Sequence, residues 1–156
     1  MNWYFFIKWL HILSSTILFG TGIGIAFFKW VTDRSGDVRA IRLSNERTVL
    51  ADWLFTTPAV IAQPVTGVML ALLAGFPLTT GWLAMSVGGY AIAGACWLPV
   101  VWLQFKMRDL ARQADDSGAP LPALYWRYAR GWLWLGVPAF VALLGVFWLM
   151  VAKPMS

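Results

Sequence analysis

Charge is scarce in this sequence. Only 12% of its 156 residues are charged, about half the share of a soluble domain. A water-soluble chain of this length needs more charge to cover its surface, so a soluble globular protein is excluded. Cysteine occurs once, which excludes an intrachain disulfide and a Cys-rich metal site. Histidine also occurs once, so no site can draw two imidazoles from one chain. What is present in excess is apolar: 60% of residues, with 11 Trp, 10 Phe and 14 Gly. Aromatic belts and close helix packing enrich those types in membranes. The net charge of +5 would suggest nucleic acid in a soluble protein, but the placement of the charges explains it without such a partner.

The uncharged residues fall in three runs: Trp9 to Phe28 (20 residues), Trp53 to Phe105 (53) and Gly131 to Ala152 (22). A helix needs about 20 apolar residues to cross a hydrocarbon core of about 30 Å. The first and third runs supply one span each. The middle run supplies two, joined by the breaker-rich turn Ala74-Gly75-Phe76-Pro77-Leu78-Thr79-Thr80-Gly81. No period-two alternation at roughly 10-residue spacing points to a β-barrel. The expected fold is all-α: an integral-membrane four-helix bundle forming one domain over 1–156, with spans near 4–29, 52–74, 81–105 and 130–152.

Ten of the twelve basic residues lie in the two connections 29–52 and 106–130. By the positive-inside rule these connections are expected in the cytoplasm and both termini outside. Anionic headgroups of the bilayer are the expected partner of the basic residues. Trp3, Trp9, Trp82 and Trp148 fall near the expected outer surface, and Trp30, Trp53, Trp102, Trp126 and Trp132 near the inner one, as two interfacial belts. The first apolar run is too long for a signal-peptide core and follows no basic segment, so the first span is expected to be retained. The segment 37–50 reads as an amphipathic helix with Val38, Ile41 and Thr48 on related faces. Phe105 to Gln113 extends the third span past the membrane, 115–120 forms the turn, and Pro122 starts an extended fourth helix.

Polar groups inside a bilayer are costly and often functional. At 100° per residue, His11, Ser15, Leu18 and Gly22 fall within about 40° of one line, a face expected to point into the bundle. Gly20 and Gly24 lie on the opposite side with Thr16, in the spacing of a helix-packing motif. They pack either within the bundle or in a homodimer. In the second span Asp52, Thr56, Gln63 and Gly67 share a face, and Pro58 and Pro64 predict a kink with freed carbonyls. Gln63 sits near the midplane, where it serves a freed carbonyl, another helix, or a ligand or ion. Asp52 reads as an interfacial cap paired with an arginine such as Arg47 or Arg127. Met85, Gly89, Ile92 and Cys96 form one face of the third span, expected to be core, and Pro138 and Gly145 an internal line of the fourth.

His11 is the sharpest cofactor candidate. An imidazole nitrogen there could ligate haem iron or a copper ion, or hydrogen-bond a neighbouring helix. Met85 is a weak second ligand at similar depth. No phosphate-binding loop, Ser-His-Asp set, Cys-x-x-Cys motif or intramembrane carboxylate pair is present, so no catalytic residue is assigned.

Two motifs carry a resemblance. One is Lys8-Trp-Leu-His11 followed by Leu13-Ser-Ser-Thr-Ile-Leu-Phe-Gly-Thr-Gly-Ile-Gly24. The other is Asp52-Trp-Leu-Phe-Thr-Thr-Pro-Ala59 with Gln63-Pro-Val-Thr-Gly67. Together they resemble the bacterial integral-membrane family called domain of unknown function 2269, along essentially the whole chain. That resemblance implies a multi-pass, four-helix protein of the bacterial inner membrane and no particular activity. Lys8-x-x-His11 and the Pro-Ala then Gly pattern are also distantly similar to the four-helix haem-binding protoporphyrinogen oxidase and to the membrane domain of copper-resistance D proteins. That likeness implies haem b on His11. The oxidase family pairs its histidine with a lysine in a later span, and no lysine lies between Gly81 and Phe105 here. Three functions are therefore expected, in this order: a non-enzymatic membrane subunit or partner-binding protein, a haem b-binding redox protein, and a small transporter component lined by Gln63 and the proline kinks.

Overall fold

The computed structural model describes residues 2–154, so the expected domain limits of 1 and 156 lie just outside it. Its elements are α1 (Trp3–Ser35), α2 (Val38–Ala51), a π-helical turn (Asp52–Thr56), α3 (Thr57–Leu73), α4 (Gly81–Ser117) and α5 (Ala123–Ala152). No strand occurs among the described residues. Four helical stretches are long and apolar enough to cross a membrane: α1, the continuous Val38–Leu73, α4 and α5.

Local chemistry sets the breaks. Asn2 caps α1 by accepting from the Tyr4 amide, and α1 ends at Gly36 in the left-handed conformation (φ 70°). Asp37 then caps α2, accepting from the amides of Arg39 and Ala40. α4 likewise ends at Gly118 (φ 64°), and a Cβ would strain either position. The long second stretch does not simply kink at its prolines. The turn before Pro58 widens instead, with the Thr57 amide donating to the Asp52 carbonyl five residues back. Pro58 cannot donate to Leu54 and its ring crowds that carbonyl, and the wider turn relieves both problems.

α4 packs along α5, and α1 along α3, while α2 bridges α1 and α4. The main core lies at the basic end, where Ile41, Val100, Leu103, Met107, Ala111, Tyr125 and Trp132 are buried together. A smaller core of Ala71, Trp82 and Leu83 lies at the opposite end. Elsewhere the spans expose Leu, Val, Ile and Phe side chains, as lipid-facing helices do, because lipid tails are as apolar as leucine. α1 meets α5 through Phe19, stacked on Phe140 at 4.8 Å and edge-on to Phe147 at 5.5 Å.

Several expectations about faces change. Trp82 and Trp132 are buried in the two cores and do not join the lipid-facing belts. Met85 and Ile92 point outward, 54% and 57% exposed. The inward line of α4 runs through Trp82, Ser86 and Ala93, and Met85 lies about a quarter turn from it. Of the expected core face, Cys96 is half-buried and Gly89 makes a close approach. A Cβ there would sit 2.9 Å from Val146 Cγ2 on α5. Pro138 and Gly145 are exposed, not internal.

Candidate functional site

Two polar clusters line the inner face of α1. The first joins α1 to α3. Gln63 Nε2 donates to the His11 carbonyl at 2.7 Å and to Ser14 Oγ. His11 Nδ1 lies 2.7 Å from Thr66 Oγ1. Thr66 has one hydroxyl proton, and the Ala62 carbonyl 2.6 Å away takes it. With that proton engaged, Thr66 can accept from an Nδ1–H, the tautomer that leaves Nε2 its lone pair. Gly67 permits this approach, since a Cβ there would stand 3.3 Å from His11 Cε1.

The second cluster sits at the basic end. Lys29 is 2% exposed and donates to Asp33 at 2.9 and 3.2 Å and to Tyr125 Oη at 2.9 Å. The fully buried Tyr125 donates its hydroxyl proton to Asp33 at 2.7 Å and accepts from Asn45 Nδ2 at 2.9 Å. One phenol thereby ties α1, α2 and α5 together. At the neighbouring surface Arg42 pairs with Asp115 (2.9 Å), Asp116 (2.6 Å) and Glu46 (3.3 Å), and Arg112 pairs with Glu46 at 2.8 Å. The Arg112 guanidinium, with help from Arg42, holds the Glu46 carboxyl below the usual carboxylate range. Asp115, ahead of Glu46, raises Arg42 above its ordinary value.

The structure brings His11 and Gln63 together and leaves the other candidates apart. Ser15 donates to the Ile12 carbonyl of its own helix. Asp52 does not pair with Arg47 or Arg127. It is buried in the π-helical turn and accepts from Thr56 Oγ1 at 2.7 Å, because the widened turn directs it away from the loop. Met85 is on the outward face of α4, so it does not complete a ligand pair with His11. Sequence reasoning saw Ser14 only as one polar group of the first span and missed Thr66, although Thr66 stands three residues after Gln63 and so on the same helical face. It also counted Lys29 only as a loop cation. The Lys29–Asp33 spacing of four was the available signal. No group of three or more metal-ligating His, Cys, Asp or Glu residues occurs among the described residues.

Gly20, Gly22 and Gly24 differ from Gly67 and Gly89. A Cβ at any of the three would have nothing within 4 Å. The helical wheel of α1 places Gly20 opposite His11, Ser14 and Lys29, on the face away from α3.

No curated protein and no solved structure matches this chain. The membrane-crossing helices and the paired motifs of α1 and α3 agree with a match over residues 5–154 to the family described as predicted integral membrane protein (DUF2269), and the chain belongs to that family.

Proposed function

We propose that this protein is a non-enzymatic subunit of the bacterial inner membrane whose Thr16–Gly20–Gly24 face packs against a second copy of the chain. The open glycine face carries this reading. Gly67 and Gly89 sit where a neighbouring helix comes within a Cβ's reach. At Gly20 and Gly24 the same small-residue spacing meets nothing within the chain. Small residues at this spacing let two membrane helices approach at backbone distance. The basic end lies in the cytoplasm, and reporter fusions to either terminus test this: a cytoplasmic readout overturns it.

Native mass spectrometry and crosslinking of the protein in lipid test the assembly. The wild type is expected as a dimer, and Gly20→Leu and Gly24→Leu as monomers with unchanged helicity. A monomeric wild type, or variants that stay dimeric, overturns the reading.

A second reading rests on His11. Thr66 lies against Nδ1 of the ring, the position from which a partner orients metal-bound histidines through the nitrogen that does not ligate. The residues present offer haem b this one ligand, since Met85 faces away. His11 and Gly20 occupy opposite faces of α1, so a glycine-mediated dimer would not bring two His11 rings together. A reduced-minus-oxidised visible spectrum after haem-sufficient expression decides: a Soret band lost in His11→Ala supports haem, and a colourless wild type removes it. A transport path through Gln63 has less support, because both its amide hydrogen-bond contacts go to α1.

A further inference from the structure

We infer that a groove between α1 and α5 at the basic end is a binding site for one anionic glycerophospholipid. The groove encloses about 510 Å³ and carries Lys29, Arg34, Arg127 and Arg130 against a single acid, Asp33. Asp33 is already engaged by Lys29 and by Tyr125. Among the described residues, no carboxylate pairs with Arg34, Arg127 or Arg130; Arg39 and Arg47 are likewise unpaired but lie outside the groove, while Arg42, Arg108 and Arg112 each have an acid.

Tyr125 explains why the three arginines gather. Its bonds to Lys29, Asp33 and Asn45 pin the first turn of α5 to the end of α1, which places Arg127 and Arg130 of α5 and Arg34 of α1 along one groove. Cations that line one groove repel one another unless a counter-charge sits among them. The walls identify that counter-charge. Trp30 and Trp126 stand at the rim, with Arg34 stacked 4.1 Å over the Trp30 ring. Leu133 and the Trp132 ring continue the surface along α5, with Ala129 beside them. An apolar wall below and guanidinium groups above match an acyl chain below and a phosphate above, at the depth where interfacial tryptophans sit. Arginine also recognises phosphate bidentately. A soluble anion would use the arginines and leave the apolar wall empty. The site is independent of the glycine-face dimer.

Native mass spectrometry of the detergent-purified full chain, titrated with phosphatidylglycerol or phosphatidylcholine, tests this. The wild type is expected to retain one phosphatidylglycerol per chain under activation that strips phosphatidylcholine. The triple variant R34Q/R127Q/R130Q is expected to lose affinity about tenfold or more. R39Q/R47Q, which removes two cations outside the groove, is expected to bind as the wild type does. Circular dichroism checks the fold of the triple variant. If it is unfolded, R127Q alone replaces it, with an expected loss of about fivefold. Four outcomes overturn the site: equal retention of both lipids, wild-type binding by the folded arginine variant, an equal loss in R39Q/R47Q, or displacement of the lipid by equimolar inorganic phosphate or polyglutamate.

Discussion

The two polar clusters on α1 solve one problem with different chemistry. His11 and Lys29 are 18 residues apart, about 27 Å along the helix. The His11 cluster reaches towards the midplane through Gln63 and uses an imidazole, an amide and two hydroxyls, all neutral. The Lys29 cluster sits where the basic connections begin and holds a complete ion pair closed by a phenol. The cost of charge in a bilayer rises towards its centre, so depth decides which chemistry each cluster uses. Each does the same work, fixing α1 to its neighbours where apolar contact alone gives little direction in lipid.

Removing one partner at the charged cluster is expected to cost most. Lys29→Met leaves the mostly buried Asp33 without its cation and is expected to destabilise by about 3 kcal/mol in a detergent unfolding titration. An effect below that of Gln63→Leu would break the comparison. Tyr125→Phe keeps the ion pair and deletes the hydroxyl that joins three helices, with an expected loss of about 2 kcal/mol in the same titration. In the neutral cluster Gln63→Leu is expected to cost about 1 kcal/mol, the scale of interhelical hydrogen bonds in membranes. The surface pair gives the smallest effect and adds a pH axis. The folded Glu46 carboxyl lies below its ordinary range, chiefly through Arg112. Its contribution is therefore complete above the unfolded carboxylate range and fades as pH falls through the lowered folded value. Melting temperatures recorded from neutral pH into the acid range should fall slightly less for Glu46→Gln than for the wild type. Parallel curves would show that this exposed pair contributes nothing.

The spans were legible because lipid tolerates so little charge that Lys8, Lys29, Asp52, Lys106, Arg130 and Lys153 bracket them plainly. The caps Asn2 and Asp37 and the terminating Gly36 and Gly118 act within a few residues, a local signal that the sequence reading did not use. The inward faces were less legible. Met85 and Ile92 look like core in any apolar chain, yet lipid accepts them as readily as a helix does, and the periodicity of a membrane helix weakly marks which side is buried. The candidate site was half legible. His11 and Gln63 stood out as rare polar groups, but Thr66 and Ser14 are ordinary residues until the α1–α3 crossing places them in reach.

What the sequence determined by itself is the number of crossings and the concentration of charge at one end, because both follow from transfer energies summed along a local stretch. Tertiary structure decided which equivalent residues act alike. It set Arg34, Arg127 and Arg130 around a groove while pairing Arg42 and Arg112 with acids. It buried Lys29 and left Gly20 and Gly24 open while closing Gly67 and Gly89. Those outcomes depend on distances between residues tens of positions apart, which only the packing of one helix against another fixes.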